Sequence, residues 1–296
     1  MSEQRAGYVA LLGRPNVGKS TLLNCLIEQK ISITAPKPQT TRHVILGIHT
    51  LPDTQIVYVD TPGLHRNTPH AINHHMNRAA SSVLAYVDVV VFVLEALRWN
   101  EEDRAVLKHL SNFQGPVILA INKVDKLAEK SRLLPFIEML SGQIQCQEYI
   151  PLSALQGDNI AVLEQRIAAL LPVSEFLFPP DQLTTASQRF LAAEAIREKL
   201  TRHLSQELPY SLTVEIETFA EQGPVLHIGA VIWVQRPGQK RIVIGEKGAM
   251  LKAIGREARQ DLEQLLQRRI FLETWVKVRD GWIDDESALR HFGYAD

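Results

Sequence analysis

The sequence predicts an α/β protein in which a doubly wound, mostly parallel sheet is followed by a smaller α+β domain. Apolar runs typical of buried strands alternate with helical stretches from residue 8 to about residue 171. Such alternation builds a parallel sheet with helices on both faces. The stretch 172-PVSEFLFPPD-181 then interrupts the pattern, and its prolines favour an extended, semi-rigid linker. After it the order changes to one helix, two strands, two helices and a last strand.

These elements divide the chain into two expected domains. The strand runs of the first domain are 8–12, 44–51, 55–60, 88–94, 117–122 and 148–152. The second begins with a helix near 187–206, continues with strand runs at 212–219 and 226–235, and ends with a strand at 270–278. We therefore expect domains at 1–172 and 186–296, joined by a linker at 173–185.

Composition and charge fit a soluble two-domain enzyme, and we expect a cytoplasmic monomer. Of the 296 residues, 45% are hydrophobic, which suffices for two cores, and the net charge of −1 gives the whole chain no nucleic-acid signature. The longest apolar stretch, 83–97, is interrupted by Asp88 and Glu95, and the first residues have no signal-peptide pattern. The two cysteines, Cys25 and Cys146, fit thiols in a reducing compartment.

The strongest motif is a phosphate-binding loop, 13-GRPNVGKS-20. It fits the pattern G-x-x-x-x-G-K-[ST], in which backbone N–H groups surround phosphate oxygens. An apolar run precedes it and a helical run follows it, which supplies the required strand–loop–helix context. Lys19 is expected to neutralise the β- and γ-phosphates, and the Ser20 hydroxyl to ligate Mg²⁺. The predicted nucleotide contacts are Gly13, Arg14, Pro15, Asn16, Val17, Gly18, Lys19, Ser20 and Thr21.

The sequence 122-NKVD-125 predicts that the nucleotide is a guanine nucleotide. The Asp125 carboxylate can accept hydrogen bonds from guanine N1–H and the 2-amino group, whereas adenine offers a lone pair at N1 and no 2-amino group. Asn122 is expected to hold the loop, and the Lys123 stem to cover the ring face. The motif follows a strand run, where ligands bind in open α/β sheets. A backbone N–H from Ser153, Ala154 or Leu155 is expected at guanine O6.

Two further segments are expected to sense the γ-phosphate. The run 60-DTPG-63 follows a strand; its Asp60 is expected to hold Mg²⁺ through water and the Gly63 N–H to contact the γ-phosphate, with Thr61 and Pro62 as further contacts. Upstream, 38-PQTTR-42 lies in a polar stretch where a threonine can close over the metal when GTP is bound. We favour Thr41 as this ligand, and Thr40 is the alternative.

In order and spacing, GRPNVGKS, PQTTR, DTPG, NKVD and SAL resemble the translation-factor-related GTPases. The resemblance implies a P-loop NTPase fold and hydrolysis of GTP to GDP and phosphate with Mg²⁺. Ras-like enzymes orient water with a glutamine, but this chain has Leu64 at that position. We hypothesise that Asn16 helps to hold a monovalent cation such as K⁺, the alternative being a simple loop residue. The expected catalytic residues are Asn16, Lys19, Thr41 and Gly63.

The second domain contains 244-IGEKG-248 between apolar runs and resembles a type II KH domain, in which a G-x-x-G loop clamps single-stranded RNA. Between Arg236 and Arg269 there are nine basic and four acidic residues, and this positive charge favours phosphate binding. Glu246 departs from an all-basic loop. Trp233 and Trp275 are expected in the core rather than as stacking platforms. The predicted RNA contacts are Arg236, Lys240, Arg241, Gly245, Glu246, Lys247, Gly248 and Lys252.

Together the two halves resemble bacterial GTPases of small-ribosomal-subunit assembly. The resemblance implies binding near the 3′ end of 16S ribosomal RNA in the 30S subunit, with partial peripheral association with the inner membrane. In this interpretation the nucleotide state gates RNA binding by the KH clamp. The alternative is a signalling switch whose second domain binds a protein or a membrane.

Overall fold

The computed structural model describes residues 3–63, 70–205 and 207–295. Within the described residues the chain forms two compact units. The first comprises residues 3–32, 41–63 and 76–185, and the second comprises residues 33–40, 70–75, 186–205 and 207–295. Two short segments from the first part of the chain therefore pack with the second unit, a feature that the sequence did not predict.

The first unit is built on a six-stranded sheet, which confirms the predicted doubly wound α/β fold. Its strands are Arg5–Leu12 (β1), Ile45–Thr50 (β2), Thr54–Asp60 (β3), Val89–Glu95 (β4), Val117–Asn122 (β5) and Glu148–Pro151 (β6). The order is β2-β3-β1-β4-β5-β6, and β2 alone runs antiparallel to its neighbour. The helices of this half of the chain are Lys19–Ile27 (α1), Ala71–Ser82 (α2), Glu101–Leu110 (α3), Leu133–Ser141 (α4) and Ile160–Leu170 (α5).

The central strands are apolar along their whole length because both faces of the sheet are covered. β3 is buried at all its positions, and β4 at every position but the last, Glu95. The parallel pairing of β1 with β3 and β4, and of β4 with β5, brings the carboxyl ends of these strands to one edge. The strand order reverses direction next to β1, and such a switch point is where open α/β sheets bind ligands.

The predicted linker, 173–185, packs against the first unit. The side chain of Gln55 is fully buried; its oxygen accepts from the backbone N–H groups of Leu177 and Phe178, at 2.8 and 2.9 Å, and its amide donates to the Phe178 carbonyl at 2.8 Å. Further along, the Ile48 N–H donates to the Leu183 carbonyl at 2.8 Å. These bonds satisfy backbone groups at an edge of the sheet, where unpaired groups would otherwise remain.

The second unit has the α-β-β-α-α-β order that the KH resemblance predicts. Its elements are Gln188–His203 (α6), Leu212–Gln222 (β7), Val225–Val234 (β8), Pro237–Ile244 (α7), Ala249–Leu266 (α8), Arg269–Val278 (β9) and Glu286–His291 (α9). β8 pairs antiparallel with β7 and parallel with β9. Alternate residues of the three strands form the core with α6 and α8.

The prediction that Trp233 and Trp275 lie in the core is wrong for Trp275. Residues 270, 272 and 276 of β9 pack on the core, so Trp275 points from the opposite face of the strand and is 45% exposed. Trp233 is half-buried, with its indole N–H donating to Glu215 at 2.8 Å. Trp282, in contrast, is fully buried. Alternation along a strand decides these outcomes, and an aromatic residue alone does not reveal the face on which it lies.

The segment 33–40 is held within the second unit by charged side chains of α6. The Glu198 carboxylate accepts from the Thr34 N–H at 2.9 Å and pairs with Arg202 at the same distance. Lys37 donates to the Thr201 and Leu204 carbonyls near the end of the helix.

Among the described residues, no helix is long and apolar enough to cross a membrane.

Candidate functional site

The phosphate-binding loop lies between β1 and α1, as predicted, and it encloses the Lys19 ammonium. The side chain is 6% exposed and donates to the carbonyls of Gly13 at 2.9 Å and Arg14 at 3.1 Å. Burial lowers the pKa of Lys19 to about 8, and the nearby Arg14 adds to this effect while the Asp60 carboxylate opposes it. A buried ammonium with a lowered pKa is poised to gain from an anion such as a phosphate.

Three of the predicted metal-binding groups converge next to this loop. The Ser20 hydroxyl donates to Asp60 Oδ2 at 2.6 Å and lies 2.7 Å from the Thr41 hydroxyl. Thr40, the alternative to Thr41, belongs to the second unit and donates to the Lys37 carbonyl at 2.6 Å. The geometry therefore favours Thr41 over Thr40.

The oxygen atoms of this cluster fit a magnesium ion. Asp60 is fully buried and, among the described residues, its Oδ1 has no hydrogen-bond partner. Burial raises the pKa of the Asp60 carboxyl. The hydrogen bonds from Ser20 and Ser32 and the charge of Lys19 lower it, but they offset only part of this rise. A carboxylate oxygen and two hydroxyls form the hard oxygen set that Mg²⁺ prefers. Ser32, which was not predicted from the sequence, also belongs to this cluster: its hydroxyl donates to Asp60 at 2.9 Å.

The run 61–63 packs directly against the phosphate-binding loop. The buried Thr61 hydroxyl donates to the Leu11 carbonyl at 2.9 Å, which fixes the run to the end of β1. A Cβ added to Gly63 would lie 2.8 Å from Pro15 Cγ and 2.9 Å from the Pro15 nitrogen, so glycine allows this close approach. Pro62 is buried beside it. Leu64, which replaces a catalytic glutamine, lies outside the described residues.

Asn122 connects three loops at the end of β5. The side chain is 2% exposed. Its amide donates to the Val17 carbonyl of the phosphate-binding loop at 2.8 Å. Its oxygen accepts from the Lys123 N–H at 2.7 Å and the Ala154 N–H at 3.0 Å. One side chain thus sets the positions of the phosphate-binding loop, the NKVD loop and the 153–155 loop.

Asp125 is exposed and oriented by a neighbour. The Ser153 hydroxyl donates to Asp125 Oδ1 at 2.6 Å, so the carboxylate is held in one orientation with its other oxygen available to a base. Ser153 itself is buried, and its N–H donates to the Asp158 carbonyl at 3.1 Å. The Ser153 N–H is thus engaged within its own loop, and the Ser153 side chain contacts Asp125. Leu155 is 71% exposed at the rim.

In the second unit, the G-x-x-G loop joins α7 to α8. Gly245 has φ 74° and ψ 177°, a region essentially restricted to glycine. A Cβ added there would lie 2.6 Å from the Met250 Cβ. Gly248 has φ 79° and open space around it, and it immediately precedes α8. The loop therefore presents a glycine backbone at the N-terminus of a long helix, a geometry suited to phosphate groups.

A groove of about 410 Å³ extends from this loop between α8 and β9. Its lining residues are Gly248, Leu251, Lys252, Gly255, Arg256, Arg259, Leu272 and Thr274. Positions 252, 256 and 259 are spaced by four and three residues and so lie along one side of the helix. This combination of a basic ridge and an apolar floor suits a single nucleic-acid strand, with phosphates on one side and bases on the other.

The predicted RNA contacts fall into two groups. Gly248 and Lys252 line the groove, and Glu246 and Lys247 lie in the exposed turn before it. The others, Arg236, Lys240, Arg241 and Gly245, lie in α7 or at its two ends. Arg256 and Arg259 were counted among the basic residues of this stretch but were not predicted as RNA contacts. Their helical spacing from Lys252 was the signal that could have identified them.

Comparison with known proteins identifies the family. Residues 8–123 match the family described as "50S ribosome-binding GTPase", and residues 207–283 match the KH domain. The chain is 55% identical to GTPase Era of Azotobacter vinelandii over 292 residues, which cover 99% of this chain and 97% of that protein. The chain belongs to the Era family of GTPases. A second Era relative, from Pseudomonas aeruginosa, is 54% identical over 99% of this chain and 96% of its own length.

Two solved Era structures resemble the whole chain, each with 39% identity, covering 99% of this chain and all of the other. One is a variant of Aquifex aeolicus Era bound to GDP and AlF₄⁻, with a TM-score of 0.94. The other is Era in complex with MgGDPNP and nucleotides 1506–1542 of 16S ribosomal RNA, with a TM-score of 0.96. As a member of the Era family, the chain is a GTP hydrolase that combines a GTPase domain with a KH domain.

Proposed function

We propose that this chain hydrolyses GTP at the edge of the six-stranded sheet and uses the nucleotide state to control binding of small-subunit ribosomal RNA. One observation carries the proposal: the phosphate-binding loop and the NKVD loop meet through Asn122, with Lys19 and Asp125 held ready for the two ends of a guanine nucleotide. The residues proposed for binding and catalysis are those predicted from the sequence.

Each end of the nucleotide meets groups of matching chemistry. Backbone N–H groups of the loop and the Lys19 ammonium neutralise phosphate charge, which is the main requirement in phosphoryl transfer. Asp125 accepts from the guanine edge, and adenine would leave this carboxylate unpaired at a cost of several kcal/mol. The Gly63 N–H lies in a run that contacts the phosphate-binding loop, so it is placed to report the γ-phosphate.

Mg²⁺ would be held by Ser20, Thr41 and Asp60, and when bound it would neutralise charge on the β- and γ-phosphates. Asn16 is exposed in the phosphate-binding loop, and we assign it a role in holding a K⁺ ion. This role is tested by GTP hydrolysis in K⁺ and in Na⁺: the parent should be faster in K⁺, and Asn16→Ala should lose the difference. Equal rates of parent and variant in both salts would contradict it.

Guanine recognition is tested by Asp125→Asn. Asparagine offers one acceptor and one donor, so the variant should lose guanine but accept xanthine, whose 2-carbonyl replaces the 2-amino group. We expect the affinity for GDP to fall about a thousandfold and the affinity for xanthosine diphosphate to rise. Asp181→Asn, an exposed carboxylate of the linker, is the control. Unchanged GDP binding by Asp125→Asn would contradict the assignment.

We assign RNA binding to the groove beside α8, with the 3′ region of 16S ribosomal RNA as the target. The support is the similarity to the Era–RNA complex and the basic ridge of Lys252, Arg256 and Arg259. A KH loop holds about four nucleotides of a single strand. With these three basic groups and the exposed Lys247 of the preceding turn near the strand, the slope of log K against log salt should be about −3.

The clamp is tested by Gly248→Asp, which places a negative charge where the phosphates would lie. Open space surrounds this position, so we expect the variant to fold and bind GDP as the parent does while its RNA binding is lost. Gly223→Asp is a matched control, because Gly223 also has a positive φ, of 60°, and open space, but lies in the turn between β7 and β8. If Gly248→Asp binds RNA like the parent, the clamp assignment is wrong, and the result supports the alternative of a signalling switch.

Coupling between the nucleotide and the RNA is proposed through the segment that ends at Thr40. This segment packs within the second unit, and it immediately precedes Thr41 in the chain.

We also propose a cytoplasmic monomer with partial peripheral association with the inner membrane. Flotation with inner-membrane vesicles and light scattering would test these two points, and a protein that stays with the soluble fraction or elutes as a dimer would contradict them.

A further inference from the structure

The sheet order places one carboxylate between the two ends of the nucleotide site. β4 lies between β1 and β5, so its last residue, Glu95, follows a fully apolar run and pairs in register with Asn122. The phosphate-binding loop leaves β1 on one side, and the NKVD loop leaves β5 on the other. Glu95 is the only charged residue of β4, and its side chain is 12% exposed.

The two oxygens of Glu95 contact three cations. Oε2 lies 3.0 Å from Lys123 Nζ and 3.4 Å from Arg14 Nη2, while Oε1 lies 3.2 Å from the exposed Arg98. Burial opposes ionisation, but the hydrogen bond and charge of Lys123, with the charges of Arg98 and Arg14, hold the pKa of Glu95 below its usual value. The carboxylate is therefore ionised at neutral pH.

Each of the two cations that contact Oε2 also makes a second polar contact, away from Glu95. Arg14 is 8% exposed, and its Nε lies 3.1 Å from Asp103, a fully buried carboxylate at the start of α3. Lys123 Nζ also donates to the Asn16 carbonyl of the phosphate-binding loop. A continuous ionic chain thus runs from α3 through Arg14 and Glu95 to Lys123, and it spans the site from the phosphate end to the base end.

We infer that Glu95 is a positioning residue for the guanine nucleotide: its carboxylate sets the distance between Arg14 of the phosphate-binding loop and Lys123 of the base-binding loop. This inference rests on the proposed assignment of these loops to the nucleotide. In this role Glu95 acts through its contacts with Arg14 and Lys123. It acts by holding the Lys123 stem where it covers the base and the phosphate-binding loop where its N–H groups converge.

The sign of the effect distinguishes positioning from simple electrostatics. A carboxylate near bound phosphates repels them, so if charge alone mattered, Glu95→Gln would bind GDP more tightly than the parent. Positioning predicts the opposite. We expect Glu95→Gln to raise the Kd for GDP about tenfold, which is the scale of one charge-assisted hydrogen bond, and to raise KM for GTP more than it lowers kcat.

The experiment is a double-mutant cycle with Glu95→Gln, Lys123→Met and the double variant, measured by Kd for a fluorescent GDP. Both changes break the Glu95–Lys123 contact, and in the Lys123→Met background only the longer Arg14 contact, at 3.4 Å, is left to lose. The double variant should therefore bind no more than about twofold more weakly than Lys123→Met. Glu138→Gln, an exposed carboxylate of α4, should bind like the parent. Glu95→Asp keeps the charge on a shorter side chain, so its Kd for GDP should lie between those of the parent and Glu95→Gln. If Glu95→Gln does not fold, Glu95→Asp replaces it in the cycle.

Three results would overturn the inference: unchanged or tighter GDP binding by Glu95→Gln, multiplicative losses in the double variant, or a loss by Glu138→Gln of the same size. If the parent itself does not bind GDP, the proposed function fails rather than the role of Glu95.

Discussion

Replacing Asn122 with alanine tests how much of the site is organised before any ligand arrives. The side chain makes three hydrogen bonds with backbone groups of three loops and is almost fully buried. Each bond contributes about 1 kcal/mol net, and a buried carbonyl left without a donor costs about 1–3 kcal/mol more. The Val17 carbonyl is such a group. We therefore expect Asn122→Ala to lower the free energy of unfolding of the first unit by about 4 kcal/mol.

The assay is hydrogen exchange followed by mass spectrometry in increasing urea, read on peptides of β1 and β5. These peptides report the first unit separately from the second. Asn122→Asp is an informative partner because it keeps the acceptors for Lys123 and Ala154 but turns a carboxylate toward the Val17 carbonyl. We expect it to lose at least as much stability as the alanine variant, because two acceptor oxygens then face each other in a buried site.

The control is Asn112→Ala, an exposed asparagine in the turn after α3, for which we expect a change below about 0.5 kcal/mol. A loss below about 1 kcal/mol for Asn122→Ala would refute the reasoning. It would mean that water replaces the side chain and that the three loops hold their positions independently.

The remaining predictions concern protonation and the glycine loop. Since burial lowers the pKa of Lys19 to about 8 and bound phosphate favours its protonated form, the Kd for GDP should be flat below pH 7.5 and rise about tenfold by pH 9. GDP and GMP carry the same base, so the effect of its ionisation cancels in the ratio of their affinities. A ratio that does not change with pH would contradict the prediction. Gly245→Ala should destabilise the second unit by about 3 kcal/mol, because the new Cβ clashes with Met250 in a glycine-only conformation. Gly248→Ala, with open space, should cost about 1 kcal/mol; equal losses in thermal unfolding would refute this difference.

Much of the fold followed from the sequence because local pattern and global order agree. The strands of the sheet begin and end within a few residues of the predicted runs, since a strand buried on both faces is a continuous apolar run with polar residues at its end. The KH unit was harder to predict from periodicity alone, and its prediction depended on the G-x-x-G loop between two helices. The exposed Trp275 shows the limit: its neighbours on β9 alternate, but a tryptophan in an apolar context does not reveal its face.

The site was predicted only where motifs mark it. Ser32, Glu95 and Asp103 were missed because their roles depend on contacts with residues far away in sequence, such as the contact of Glu95 with Arg14 and Lys123. No spacing rule connects such residues. Polarity was the available signal: a single carboxylate at the end of an otherwise apolar strand, as at Glu95, marks the ligand edge of a parallel sheet.

RNA binding in two nucleotide states tests the central claim most directly. A labelled RNA ending in the small-subunit 3′ sequence would be titrated with the full chain in GDP and in a non-hydrolysable GTP analogue at fixed salt. A GTP-gated clamp predicts binding about tenfold or more tighter with the analogue, and loss of that binding in Gly248→Asp. Equal binding in both states, or no binding in either, would contradict the coupling of the nucleotide site to the KH unit.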